Sequence, residues 1–230
     1  MKTIGLIGGT SWVSTLDYYR LINQLTNEKL GGVHAARLLL YSLNFGEIKE
    51  LLDKNDWESI TAIYTDVATK LKAAGADCIV LAANTPHLIA DKIQKAAGLP
   101  LIHIADATAK VIQDSGVLTV ALLGTKFVME SSFFPDILAA HGIETIIPNE
   151  ADRGFINGSI FNELTKGVFT PETKRHYVEL IDRLITAGAN AVVYACTEIP
   201  ILLQDINMPV KTFDTTLIHA QAVVAFSTTD

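Results

Sequence analysis

Cysteine is scarce: only Cys78 and Cys196 occur in 230 residues. Both stand in apolar runs, which argues against a disulfide framework and for free thiols in a reducing cytoplasm. Basic charge is also in deficit. Lys and Arg number 18 against 25 Asp and Glu, a formal charge of −7, which argues against nucleic acid as a main partner. No block of like charges marks a tail. No run approaches the roughly 20 apolar residues of a membrane span. The opening Met1–Gly9 is apolar but short and broken by glycine, so it fits a first core strand better than a signal peptide. A G-x-G-x-x-G pattern is missing, which leaves a dinucleotide reading weak. No linker is visible between halves of the chain.

What is present is apolar: 49% of the residues are hydrophobic, enough to bury a full core. The length allows one large domain or two of about 100–150 residues. The most informative stretch is Ala189-Asn190-Ala191-Val192-Val193-Tyr194-Ala195-Cys196-Thr197-Glu198-Ile199-Pro200. A β-branched run reads as a buried strand. Thr197 then suits a helix N-cap and Glu198 the first turn. That puts Cys196 at a strand end facing a helix start, where open α/β sheets hold ligands and where a thiol can fall below its free pKa of about 8.5.

The stretch has an earlier counterpart. Gly75-Ala76-Asp77-Cys78-Ile79-Val80-Leu81-Ala82-Ala83-Asn84-Thr85 aligns without a gap on Gly188 to Glu198, about half a chain away, and Ala83 falls on Cys196. Thr119 to Thr125 likewise mirrors Thr3 to Thr10 with one residue deleted. Between these landmarks the spacing predicts alternating elements. Strands are expected at 3–7, 36–42, 78–82, 100–104, 119–124, 144–148, 189–195 and 209–213. Helices are expected near 13–29, 45–54, 57–74, 86–97, 131–141, 171–187, 199–203 and 216–226, with a loop and helix between 149 and 170. Strands alternating with helices imply parallel sheets. The expected fold is α/β: two similar lobes, each a parallel sheet flanked by helices, related by internal duplication, with an active-site cleft between them. Residues 1–106 plus 214–230 would form the first lobe and 107–213 the second.

Gly8-Gly9 after the first strand, Asn84-Thr85 after the third, Gly124-Thr125 at the midpoint and Cys196-Thr197-Glu198 in the second copy together resemble the aspartate/glutamate racemase family. These are cofactor-independent amino-acid racemases related to glutamate and hydantoin racemases. The resemblance covers essentially the whole chain. It implies a two-base mechanism in which one cysteine removes the Cα proton and a second returns one to the opposite face. Such a weak acid needs its developing charge stabilised, and a sulfur base in a dry site can supply the basicity without pyridoxal phosphate. Cys196 and His87 are the catalytic candidates. Gly9, Thr10, Ala83, Asn84, Thr85, Thr125, Lys166, Thr197 and Glu198 are the substrate-binding candidates. The resemblance further implies an amino-acid or carboxylate substrate, no metal or other cofactor, and a cytoplasmic homodimer with no nucleic-acid or membrane partner.

One departure stands out. The first family cysteine is expected just before Asn84-Thr85, and the residue there is Ala83. Cys78 cannot replace it, because strand alternation turns it to the other face; it reads as a small buried hydrophobe. Another proton donor such as His87 or bound water, one-base chemistry or lost activity, and an introduced Cys→Ala change stand side by side as explanations. His87 reads either as a proton carrier through water or as a residue orienting the strand end. Lys166 reads as a carboxylate binder or a solvated helix-end lysine. Ser42 to Ile48 lacks the arginine that relatives specific for acidic substrates carry after the second strand. Trp12, Phe45 and Tyr194 read as cleft-lining residues or as core, with core the expectation. Three activities fit: a racemase for aspartate, glutamate or a wider set; a single-cysteine decarboxylase of the arylmalonate type; and a catalytically impaired amino-acid-binding homologue.

Overall fold

The computed structural model describes residues 1–229 and shows two compact units. One runs from Met1 to His103 and is completed by residues from His219 on; the other is the single segment Ile104–Ile218. The chain therefore passes between units at 103/104 and 218/219, where the sequence suggested 106/107 and 213/214. Asp230, the last residue of the expected first lobe, lies outside the described residues. Each unit is a parallel sheet flanked by helices.

The first unit contains β1 (Ile4–Gly8), α1 (Trp12–Leu30), β2 (Leu38–Ser42), α2 (Phe45–Asp53), α3 (Trp57–Ala73), β3 (Cys78–Leu81), a 3-10 turn (Thr85–Ile89) and α4 (Ala90–Ala97). Its sheet order is β2-β1-β3, with Ile4 opposite both Leu38 and Cys78. β1 and β3 are buried throughout, as strands covered on both faces must be. The side chains of Ile4, Leu6, Tyr18, Cys78, Val80 and Ala82 build one core layer, closed by Ala220, Val223 and Val224 from the end of the chain. Cys78 is thus a packing residue, and burial pushes its thiol up to about 11. Asn44 and Asp56 cap α2 and α3 through their side chains, and left-handed Gly98 ends α4.

Two expected elements of this unit change. The helix foreseen from Pro86 opens as a 3-10 turn and becomes α-helical only at Ala90. The strand foreseen over 100–104 shrinks to one parallel bridge, Ile79 to Leu101. Pro100 has no N–H to add to a ladder, and the chain turns helical at Ile104.

The second unit contains α5 (Ile104–Asp114), β4 (Thr119–Gly124), α6 (Lys126–Glu130), α7 (Phe133–Ala140), β5 (Glu144–Ile146), α8 (Glu150–Asn162), a 3-10 turn (Leu164–Lys166), α9 (Pro171–Thr186), β6 (Ala191–Ala195), α10 (Ile199–Leu202) and β7 (Lys211–Asp214). The start of α11 (Thr215–Ser227) belongs here and its remainder to the first unit. The order is β5-β4-β6-β7. Alternation along β6 is clean: Ala191, Val193 and Ala195 face one apolar cluster, and Val192 and Tyr194 face the other together with Cys196.

In both sheets the first strand is central and its followers lie on opposite sides. The strand order thus reverses between β1 and β3, and again between β4 and β6. Ligands of open α/β sheets bind outside the carboxyl ends of strands at such reversals. Those ends are Gly8 and Leu81 in one unit, Gly124 and Ala195 in the other. Gly124 lies directly across from Ala195, and a Cβ on Gly124 would come 2.7 Å from the Ala195 carbonyl oxygen, so only glycine fits there.

Candidate functional site

At the end of β6 the thiol turns inward. Cys196 is 6% exposed, and its S–H donates to Glu198 Oε2 at 3.2 Å. The Thr197 hydroxyl donates to the same oxygen at 2.7 Å. Glu198 is 2% exposed, and its Oε1 is buried without a hydrogen-bond partner among the described residues. Thr197 is therefore not the expected N-cap; Glu198 holds that position before the short α10, without a capping side chain. The expected drop in thiol pKa is also overturned. Backbone N–H groups of Glu198 and Ile199 do favour the thiolate, but burial and the Glu198 charge outweigh them and hold the thiol well above 9. Desolvation of the charged form wins because the sulfur is buried. At rest Cys196 is a thiol whose proton already points at a carboxylate.

Thr125 closes β4 as the N-cap of α6, its hydroxyl accepting from Val128 N–H at 3.4 Å. Tyr177 packs in the same cluster as Cys196 and bonds Ser159 at 3.0 Å; burial pushes its phenol far up. Lys166 stands exposed at the end of its 3-10 turn. Tyr194 is core, Phe45 is half-buried, and Trp12 is 58% exposed, contrary to expectation. Trp12 begins a helix whose buried face is set by Ser14, Thr15, Tyr18 and Ile22, and position 12 falls outside that stripe.

In the Gly8-Gly9-Thr10-Ser11 turn one N–H is already committed. Gly9 N–H donates to Thr15 Oγ1 at 2.8 Å. Glycine is needed for another reason: φ is +86° and a Cβ would collide with the Leu43 backbone. Thr10 Oγ1 lies 2.6 Å from the Tyr64 hydroxyl. Ser11 caps α1 at φ +114°, a conformation that costs a non-glycine residue about 1–3 kcal/mol. Ser14 Oγ donates to Ala82 O at 2.6 Å and ties α1 to the end of β3.

Ala83 is half-buried, Asn84 buried and Thr85 half-buried at the opening of the 3-10 turn. His87 is 3% exposed. Its Nδ1 reaches the carbonyl oxygens of Ala83 at 2.9 Å and Asn84 at 3.2 Å. The ring meets His103 edge-on at 4.8 Å and His219 at 5.4 Å. His219 bonds Tyr18 OH through Nδ1 and Ile102 O through Nε2, both at 2.7 Å. Tyr18, His103 and His219 were not singled out in the sequence. The available signal was a lone histidine inside the apolar Leu217-Ile218-His219-Ala220. Among the described residues no group of three or more His, Cys, Asp or Glu side chains is placed to hold a metal ion, and no helix is long and apolar enough to cross a membrane.

Comparison with known proteins bears on this geometry. Residues 7–223 match the family model described as Asp/Glu/Hydantoin racemase. The chain is similar to the broad specificity amino-acid racemase RacX of Bacillus subtilis, with 27% identity over 74% of this chain and 73% of that one. Among solved structures it is similar to a candidate Asp/Glu racemase from Yersinia pestis, with 43% identity, all of both chains covered and a TM-score of 0.90. It is also similar to an aspartate racemase homologue from Pyrococcus horikoshii, with 35% identity, the same full coverage and a TM-score of 0.85.

Proposed function

The chain belongs to the Asp/Glu/Hydantoin racemase family, and from that premise we propose that it is a cofactor-independent amino-acid racemase in which Cys196 moves the proton at the substrate's α carbon. The observation that carries this reading is the buried S–H donating to Glu198 Oε2 at a strand end. Glu198 takes the thiol proton, leaving a thiolate and a carboxylic acid. The thiolate then removes the Cα proton, and the electron pair spreads onto the substrate carboxylate as an enediolate. We assign Asn84, Thr85, Thr125 and Thr197 to hold that carboxylate with N–H groups and hydroxyls, with Thr10 and Lys166 in the widest version of the set; Gly9, whose N–H is taken by Thr15 Oγ1, shapes its turn instead. Return of a proton to the same face regenerates the substrate; delivery to the other face gives the antipode.

The Ala83 methyl has no proton to give, so the opposite face draws on a group other than a first thiol, and water is the simplest. This asymmetry also favours a second reading. A thiol that rests protonated is suited to quench an enediolate from one side, which is what a decarboxylase of arylmalonate type requires after losing CO2. The substrate is an amino acid of the aspartate or glutamate kind, and the protein is a cytoplasmic homodimer, which light scattering at micromolar protein tests.

The deciding experiment is incubation with single enantiomers of aspartate, glutamate and neutral amino acids in D2O. Racemase activity gives Cα deuterium and antipode. Cys196→Ser should lower exchange by about a thousandfold or more with binding nearly intact. Full exchange in that variant refutes the thiol mechanism, and CO2 release from a malonate without exchange selects the second reading.

A further inference from the structure

We infer that His87 is a positioning residue, not a proton carrier: its imidazole fixes the Ala83-Asn84-Thr85 turn by holding two successive carbonyl oxygens. The inference rests on the reading of Asn84 and Thr85 as carboxylate holders. Both Nδ1 contacts, 2.9 Å to Ala83 O and 3.2 Å to Asn84 O, are to acceptors that cannot donate, so Nδ1 carries the hydrogen. Nε2 is then a bare lone pair, buried and without a partner among the described residues. Such a nitrogen has no proton to give.

The ring is also held still. His103 and His219 meet it edge-on from two sides. His219 is anchored at both nitrogens, donating from Nε2 to Ile102 O and accepting from the Tyr18 hydroxyl. The titratable groups facing His87 are thus two other histidines, one of them bonded to a buried tyrosine. Burial and these neighbours keep His87 neutral, well below 6.5.

The consequence runs through the peptide plane. In a trans peptide the C=O and the following N–H point in opposite directions, and no cis peptide occurs among the described residues. Drawing the Ala83 and Asn84 carbonyls toward one imidazole therefore aims the Asn84 and Thr85 N–H groups away from it. The turn keeps this orientation whether or not a ligand is present, which spares the binding step the cost of ordering it.

The test uses the full-length chain. Long-range proton–nitrogen NMR of the histidine rings should show His87 as the neutral tautomer with hydrogen on Nδ1 from pH 5 to 8. A hydrogen on Nε2, or a titration midpoint inside that range, overturns the inference. His87→Asn places an amide N–H where Nδ1 stood and should keep aspartate binding and Cα exchange within about threefold, whereas His87→Gln and His87→Ala should each weaken binding about tenfold or more. If His87→Asn binds aspartate normally yet loses exchange as fully as His87→Ala, the ring carries a proton and the inference fails. Wild-type protein that binds neither aspartate nor glutamate would sink the proposed function instead, while the NMR result still decides the role of the ring.

Discussion

The two turns that follow β3 and β6 are cut from one pattern and do opposite work. Ala83, Asn84, Thr85 and His87 align with Cys196, Thr197, Glu198 and Pro200. In the β6 turn, side chains bond to one another: sulfur and hydroxyl both donate to Glu198 Oε2. In the β3 turn, a side chain bonds the backbone, and the imidazole holds carbonyls. One turn stores a movable proton; the other spends its polar group on shape. In the proposed function one turn keeps the chemistry while the other serves as scaffold.

The largest test of this contrast is to disarm the reactive turn. Glu198→Gln should lower Cα exchange about a hundredfold, the range for loss of a proton acceptor. It should also shift the pH midpoint of Cys196 alkylation downward, since the Glu198 charge is among the causes that raise the thiol. Exchange and thiol reactivity would move in opposite directions; parallel losses would mean the carboxylate only supports the fold. Making the turns alike is the second test. Ala83→Cys should raise two-way racemisation about tenfold if the opposite face lacks a donor, and unchanged rates would mean proton delivery there is not limiting.

A third test exploits His219, whose ring packs against His87 of the scaffold turn. His219 has its pKa lowered to about 4 by burial, against about 6.5 in the unfolded chain. Below 6.5 the unfolded chain binds a proton that the fold refuses. Stability is therefore full above pH 6.5 and declines toward pH 4, by about 3 kcal/mol for this side chain; His87 adds in the same direction. Urea unfolding at pH 7 and 4.5 should show a smaller difference in His219→Gln than in the wild type, and equal differences would deny the histidine its share. The smallest effect concerns the other pair of turns. Ser11→Gly should stabilise the fold by about 1–2 kcal/mol, because relief of the φ +114° strain exceeds the few tenths lost from the cap. Thr125→Gly, at an unstrained φ of −64°, should not stabilise; a gain there would mean the strain argument is misplaced.

The sequence made the strand–helix alternation readable because glycine and proline punctuate it and apolar runs fill the strands. Gly98 ends α4 where expected, and Pro171 opens α9. It did not reveal what depends on distant partners. The Gly9 N–H is claimed by a threonine six residues on. The pairing of Thr3–Thr10 with Thr119–Thr125 hid the fact that Gly9 and Thr10 stand between strand and cap in one copy and nothing does in the other. The local pattern points the Cys196 shift the wrong way, because helix-start N–H groups show in it and burial does not. The same blindness hid the histidines: His87 was visible as a candidate, but the rings that hold it lie 16 and 132 residues further along the chain.

The split membership of α11 sets an order of assembly. Ile218 packs in the second unit, while Ala220, Val223 and Val224 complete the core of the first, and Lys2 N–H pairs with Ser227 O at 2.7 Å. During synthesis Met1–His103 is made well before Ala220, Val223 and Val224, which wall its core. The middle segment is contiguous and has nearly all its own parts earlier. The earlier-made segment should therefore settle after the middle one, with Ile4, Leu6 and Val80 exposed until α11 arrives, which lengthens its exposure to aggregation.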